Sequence, residues 1–323
     1  MRTSAVVFAL LATGASTSAA IDLQGHRGTR GLAPENTLAA FRTALAIGVT
    51  TLETDLAMTR DGVLVLSHEP RLAAALTRGP DGRWLSEDGV PIFSLSARDL
   101  TQYDVGRLNP AHKYSEQWTE QRARDGERIP TLQQLFDMAR DAVSPGGQPV
   151  RFNIETKITP TSGDTTPGVE SYARAVVDAV RAAKMMHRVT VQSFDWRTLR
   201  EVKRLAPDVT TACLTIDSSS MNTVLPDTSG ASPWHAGLKA ADHGGSLPKM
   251  AQAAGCAAWS PFWRNVTIEN VAEAKALKLK VIPWTVNDPA EIERLATLGV
   301  DGIITDYPDR ARRALAAHNI SVD

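Results

Sequence analysis

The chain has 323 residues, of which 43% are apolar and 22% charged; this composition supports a sizeable buried core and excludes wholesale disorder. Lys and Arg total 35 against 36 Asp and Glu, a balance that gives no electrostatic reason to expect nucleic acid or an anionic membrane as partner. The length suits one barrel domain with insertions, and any positive field that an anionic ligand needs must be local to its site.

At the N-terminus, Arg2, the apolar run from Ala5 to Leu11 and the small residues ending Ser18-Ala19-Ala20 follow the order of an export signal. Removal of residues 1–20 is expected, leaving a periplasmic or secreted protein of residues 21–323. The apolar run is far short of the roughly 20 residues that span a bilayer, so no stable membrane insertion is expected.

From there β-like runs alternate with amphipathic helical stretches. The β signals fall near 22–25, 51–57, 151–155, 188–193, 209–214, 257–260, 281–286 and 302–305. Residues 36–47 carry Leu38, Phe41, Leu45 and Ala46 close to helical spacing, with Asn36 placed to cap the helix. The stretches 198–205, 268–277 and 289–298 read the same way. Eight strands in strict alternation with helices predict an α/β fold of the (β/α)8 TIM-barrel type.

Two segments interrupt the rhythm. Residues 69–129 carry turn signals at Gly79-Pro80-Asp81-Gly82 and Asp88-Gly89. They are too many for an ordinary βα connection and read as a small insertion after the second barrel strand. Residues 217–248 are rich in Ser, Gly, Asp and Pro and hold Trp234 and His235; a cover over the site and a plain surface loop both fit. Cys213 and Cys256 belong to no CxxC pair, which argues against structural zinc. One disulfide or two buried small apolar residues fit equally.

The residues that carry chemistry lie at strand ends. Gly25-His26-Arg27-Gly28 closes the first strand, and Glu53-Thr54-Asp55 lies on the second. The run 63–68 ends in His68, and Glu155-Thr156-Lys157 closes the third strand. Side chains alternate faces with period two, so Glu53 and Asp55 point one way together, as do Glu155 and Lys157. Three carboxylates meeting in one buried place call for a cation, and an all-oxygen set suits Mg2+ or Ca2+ better than zinc. A structural ion-pair network with Arg27 and Lys157 is the competing reading. Two imidazoles beside this set supply a base and an acid near neutral pH, and Arg27 and Lys157 can hold a phosphate charge. Glu35, in the turn before the first helix, can orient Arg27 or serve the helix start, where negative charge is favourable; the second role is the one expected.

The motifs Gly25-His26-Arg27-Gly28, Ala33-Pro34-Glu35-Asn36-Thr37 with Phe41, Glu53-Thr54-Asp55, Thr59-Arg60-Asp61-Gly62 and Ser67-His68 occur in this order. Glu155-Thr156-Lys157, Gln192-Ser193-Phe194, Trp284-Thr285-Val286-Asn287 and the block from Asp301 to Pro308 follow. The ordered set spans nearly the whole of residues 21–323 and resembles the glycerophosphodiester phosphodiesterase family. The resemblance implies metal-dependent hydrolysis of small-molecule glycerophosphodiesters to sn-glycerol 3-phosphate and an alcohol. By position it implies Glu53, Asp55 and Glu155 as ligands of one divalent cation and His26 and His68 as the acid–base pair. Arg27 and Lys157 match phosphate contacts, and Trp284 matches an aromatic lining the pocket. One departure is visible: the family commonly has His followed by Asp at the second histidine, and here Glu69 follows His68. A phospholipase acting on lysolipids or membrane lipids is the alternative activity, with Trp259, Phe262 and Trp263 as a candidate apolar surface. The presence of both histidines and all three carboxylates argues against a binding protein that has lost catalysis.

Overall fold

The computed structural model describes residues 20–323, so the segment read as an export signal lies, apart from Ala20, outside the described residues. In chain order the strands are β1 (Asp22–Gly25), β2 (Thr51–Met58), β3 (Leu64–Leu66), β4 (Arg151–Thr156), β5 (Val189–Ser193), β6 (Thr210–Thr215), β7 (Ala258–Pro261), β8 (Lys280–Val281) and β9 (Gly302–Thr305). All but β3 pair in parallel in the order β8-β7-β6-β5-β4-β2-β1-β9. Between β8 and β9 the barrel is joined by the N–H groups of Asp301, Ile304 and Val286, which donate to Val281 O (2.9 Å), Pro283 O (3.0 Å) and Ile304 O (2.9 Å). The fold is the expected α/β barrel. The strand expected over 281–286 forms a ladder only at its start, because Pro283 has no N–H to donate.

The helices are α1 (Leu38–Ile47), α2 (Ala97–Leu100), α3 (Leu132–Met138), α4 (Val169–Ala182), α5 (Trp196–Leu205), α6 (Leu247–Ala253), α7 (Ile268–Ala276), α8 (Pro289–Leu298) and α9 (Pro308–Ala317). Strand alternation sorts the side chains into two layers. Leu52, Leu56, Phe152 and Ile154 share a buried cluster with Phe41, Tyr172 and Val176 of the helices, each such burial stabilising by roughly 1.5–3 kcal/mol. A polar chain links the strands at Gln24, Asn153, Gln192 and Glu53. Asn153 Nδ2 donates to Gln24 Oε1 (2.8 Å) and Gln192 Oε1 (3.0 Å), and Gln192 Nε2 donates to Glu53 Oε1 (2.9 Å).

Helix α1 is capped by Thr37, whose hydroxyl accepts from Ala40 N (3.2 Å), and not by Asn36. Asn36 sits in the left-handed region at φ 55, and its side chain is drawn to β2 instead. Strand β3 folds back antiparallel on β2, with Leu66 opposite Leu56. After it, the chain over 69–129 forms α2 and short helical turns. Leu72, Ile92 and Leu100 from this segment pack with Ala57 and Val65 of the hairpin, a small satellite core beside the mouth of the barrel.

Residues 234–236 of the segment 217–248 lie against α5. His235 is buried and stacks on Trp196 with ring centres 4.2 Å apart, and Trp234 meets Phe194 at 6.4 Å. Cys213 and Cys256 are joined as a disulfide, which settles the two readings left open by their spacing. The bridge closes a loop of sequence separation 43 around that segment.

Candidate active site

The C-terminal ends of β1, β2, β4 and β9 converge on one mouth. Gly25 lets the chain turn sharply after β1, since a Cβ there would lie 2.2 Å from Gly28 O. Gly28, at φ 81, presses the loop onto α1, where a Cβ would meet Ala40 Cβ at 2.7 Å. Between them Arg27 takes φ 49, a conformation uncommon for residues other than glycine. Arg27 is held at three points: its side-chain Nη1 donates to Glu35 Oε1 (2.6 Å) and Nε lies 3.2 Å from Asp55 Oδ2, while its backbone amide donates to Glu53 Oε2 (2.8 Å). Glu35 in turn accepts from the Tyr114 hydroxyl. Of the two roles open to Glu35, the expected one at the helix start is therefore corrected to the other: it orients Arg27, because burial leaves its charge no water and the guanidinium is its nearest cation.

His26 Nδ1 lies 2.6 Å from Asp306 Oδ1. The pairing follows from register: Gly25 of β1 is opposite Thr305 of β9, so the next residue of each strand meets across the ladder end. Asp306 also accepts from Arg30 Nε (2.9 Å) and Nη2 (3.1 Å) and from Asn287 Nδ2 (2.7 Å). Burial opposes its ionisation, yet Arg30, His26 and these donors hold its carboxyl far below the usual range. A charged Asp306 accepts only, so Nδ1 carries the proton and His26 Nε2 keeps its lone pair. Burial lowers the pKa of His26, outweighing Asp306, and Arg30 and Arg27 lower it further.

Glu53 and Asp55 on β2 meet Glu155 on β4, where Asp55 and Glu155 are register partners. One oxygen of each of the three lies within 4.8 Å of the others, and all three side chains are buried. Asp55 Oδ2 accepts from Asn36 Nδ2 (3.0 Å). Lys157 Nζ donates to Glu155 Oε1 (2.8 Å) and lies 3.8 Å from Asp55 Oδ1. Ion pairs are thus present, as one reading of the sequence expects, but they leave the set short of positive charge. Burial and the Asp55 charge push the Glu53 carboxyl well up; burial also raises that of Glu155, against Lys157. Asp55 goes the other way, held down by Arg27 against its burial, yet its Oδ1 has no hydrogen-bond donor. A buried all-oxygen set with a spare acceptor fits a divalent cation.

His68 follows β3. Ser67 N donates to Asp55 O (3.1 Å), which ties this turn to β2. His68 Nδ1 lies 2.6 Å from Glu69 Oε1, so the longer side chain at the departure from the family pattern folds back on its own neighbour. The imidazole is 29% exposed; burial and the positive Arg27 and Lys157 push its pKa down to about 4. Opposite, Trp284 Nε1 donates to Ser260 O (2.9 Å), and the ring packs on Phe194 and Phe262, with centres 5.2 and 5.8 Å apart. Trp259 is buried, donating to Thr215 Oγ1 (2.9 Å), and so is core and not interfacial surface.

A cavity of about 140 Å3 is lined by His26, Arg27, Glu53, His68, Glu155, Lys157 and Trp284. Of the eight residues expected as catalytic, phosphate-binding, aromatic or metal-ligating, Asp55 alone does not line it, being fully buried. Sequence reasoning missed Asp306, Arg30, Gln192 and Tyr114 as supports of the site. Asp306 stood inside a quoted motif, so a signal existed for it. Tyr114 comes from the insertion and carried none. His235, a loop histidine that could have approached the site, packs instead on Trp196.

Residues 26–310 match the model of the Glycerophosphoryl diester phosphodiesterase family. A glycerophosphodiester phosphodiesterase of Caldanaerobacter subterraneus subsp. tengcongensis is 30% identical over 285 residues, covering 88% of this chain and 93% of that protein. A crystal structure of a candidate glycerophosphoryl diester phosphodiesterase from Silicibacter pomeroyi DSS-3 is 36% identical, with TM-score 0.82, and covers 94% of this chain and 96% of the other. The fold is also similar to that of an Oleispira antarctica phosphodiesterase solved with its product sn-glycerol-3-phosphate, at 22% identity and TM-score 0.64, covering 92% and 97% of the two chains.

Proposed function

The chain belongs to the glycerophosphoryl diester phosphodiesterase family and is a phosphoric diester hydrolase, and from that premise we propose that it converts a glycerophosphodiester and water to sn-glycerol 3-phosphate and an alcohol by His26/His68 acid–base catalysis. The observation that carries the mechanism is the buried three-carboxylate set, of which Glu53 and Glu155 line a cavity that His26 and His68 also line. Glu53, Asp55 and Glu155 would hold one divalent cation, Mg2+ or Ca2+, which polarises a phosphoryl oxygen when bound. Arg27 and Lys157 hold the phosphate charge. His26, its Nδ1–H fixed on Asp306, takes the proton of the attacking hydroxyl at Nε2; where that hydroxyl is the glycerol's own, a cyclic phosphate forms and water then opens it to sn-glycerol 3-phosphate. His68 gives a proton to the leaving alkoxide. In the free protein His68 is neutral at pH 7, with its pKa near 4. A bound phosphate anion offsets the two cations that depress it, so substrate itself favours the protonated form.

The test is turnover of a soluble glycerophosphodiester with Mg2+ or Ca2+, with and without chelator. Release of sn-glycerol 3-phosphate that stops on chelation is expected; no turnover with either ion overturns the reading. A row of rings, Phe194, Trp284, Phe262 and Trp263, with neighbouring centres 5.2–6.0 Å apart, favours lysolipids as a second substrate class. Faster hydrolysis of lysolipid micelles than of soluble diesters would select it. Among the described residues no helix is long and apolar enough to cross a membrane. Export of the protein with loss of residues 1–20 rests on the N-terminal pattern, and exported protein that still begins at Met1 would overturn it.

A further inference from the structure

The polar chain inside the barrel ends on the carboxylate set. Gln24 on β1, Asn153 on β4, Gln192 on β5 and Glu53 on β2 are all buried. The chain has one more member: Gln24 Nε2 donates to Asp22 Oδ2 (2.8 Å) at the N-terminal end of β1. It therefore runs Asp22–Gln24–Asn153–Gln192–Glu53, with a carboxyl group at each end.

Those ends dictate the direction of every bond between them. Burial opposes ionisation of Asp22, but Arg151, Thr50, Thr51 and Gln24 hold its carboxyl below the usual range. Glu53 is a carboxylate whenever it holds a cation. A carboxylate only accepts, so each end must meet an N–H. Gln24 turns its nitrogen to Asp22 and its Oε1 inward, and Gln192 turns its nitrogen to Glu53 and its Oε1 inward. Two carbonyl oxygens then face one another, and the group between them must give two hydrogens. Asn153 Nδ2 gives both, at 2.8 Å to Gln24 and 3.0 Å to Gln192. Its own buried Oδ1 has no donor among the described residues. An unpaired buried acceptor is unfavourable, so this amide is kept for its two N–H groups.

We infer that Asn153 is a positioning residue for the metal site: the hydrogen it gives to Gln192 fixes which way that amide points, and so holds Gln192 Nε2 on Glu53 Oε1 (2.9 Å) and the carboxylate in its aim. Gln192 lines the cavity of the site, whereas Asn153 lies beneath it and acts only through Gln192. The inference rests on the metal reading above.

The experiment is calorimetry of Mg2+ and Ca2+ binding, with a melting curve for each protein. The proteins are wild type, Asn153→Val, Gln192→Met, the double variant of these two, and Gln24→Met. Val and Met have no side-chain N–H to give. Asn153→Val should weaken ion binding about 10- to 100-fold, as loss of a group behind a metal ligand does. The double variant should bind within about twofold of Gln192→Met alone, because the two residues act in series. Gln24→Met breaks the other arm of the chain and should melt below wild type, yet its binding should stay within about twofold, because Asn153 still serves Gln192. Asn153→Ala removes the amide without adding a branch to the packed interior; it should weaken binding as the valine variant does, and it carries the test if that variant does not fold. Wild-type affinity in Asn153→Val or Asn153→Ala, losses that add in the double variant, or an equal loss in Gln24→Met overturns the inference and leaves the metal site standing. Wild type that binds neither ion overturns both.

Discussion

The two histidines of the site are held in opposite ways. His26 is fixed by a partner 280 residues away, and Asp306 is itself clamped by Arg30 and Asn287 in the buried seam between β1 and β9. His68 is fixed by its chain neighbour Glu69 on the loop toward the insertion, with the imidazole 29% and the carboxylate 52% exposed. The first arrangement makes one imidazole part of the scaffold, with its tautomer dictated. The second leaves the other beside the cavity, where substrate can change its charge. On the proposed mechanism, rigidity is placed where a lone pair must be aimed, and freedom where a proton must be acquired.

The largest effect should erase the contrast altogether. A Glu53→Gln, Asp55→Asn double variant loses two of the three candidate ligands, so turnover should fall on the order of 10⁴-fold, leaving both imidazoles idle. Calorimetry should show Mg2+ and Ca2+ binding lost. Melting in chelator should be no lower than wild type, since buried like charges have been removed. Unchanged ion binding would refute the ligand assignment.

Next, His26→Ala and His68→Ala should each lower kcat by about 10²–10⁴-fold, but their stability should separate. His26→Ala strips a partner from buried Asp306 and should cost roughly 1–3 kcal/mol, whereas His68→Ala should melt close to wild type. Equal melting losses would break the comparison; a His68→Ala enzyme with near-normal kcat on a poor leaving group would remove that residue from the chemistry.

Asp306→Asn should lower kcat by on the order of 10²-fold, as the tautomer is released. The Asp306 charge raises the pKa of His26 against burial, so its removal should move the acid limb of kcat/KM to lower pH. A limb that moves up, or stays, contradicts His26 as the base. Glu69→Gln is the smallest expected change. Its pair with His68 is half exposed, and on a soluble glycerophosphodiester the loss should stay within about fivefold.

Much of this was legible in the chain. The alternation of strands and helices gave the barrel, because period 2 and period 3.6 are local properties of a sequence. The shared face of Glu53 and Asp55 followed from the same period. Their meeting with Glu155 needed only the ladder between β2 and β4. The insertion was visible as a stretch too long to be a connection, though not what it does: Tyr114 reaches Glu35, 79 residues away in sequence.

Local reasoning went wrong where a side chain had two possible employers. Asn36 and Glu35 both stand at the start of α1, where capping and the helix dipole predict their use. In the fold Asn36 serves Asp55 and Thr54, and Glu35 serves Arg27, while Thr37 takes the cap. A nearby buried charge outbids a helix terminus that a neighbouring hydroxyl can satisfy, and no local pattern reports how near that charge will be. The same holds for the cysteines: their spacing allowed a bridge, but only strand β6 lying beside β7 brought their Cα atoms to 5.9 Å. The sequence by itself determined the elements, their faces and the kinds of group at the strand ends. Which of those groups meet in a hydrogen bond, a carboxylate cluster or a sulfur bond was decided by the tertiary packing of the strands, because such contacts join residues whose separation along the chain carries no information about their separation in space.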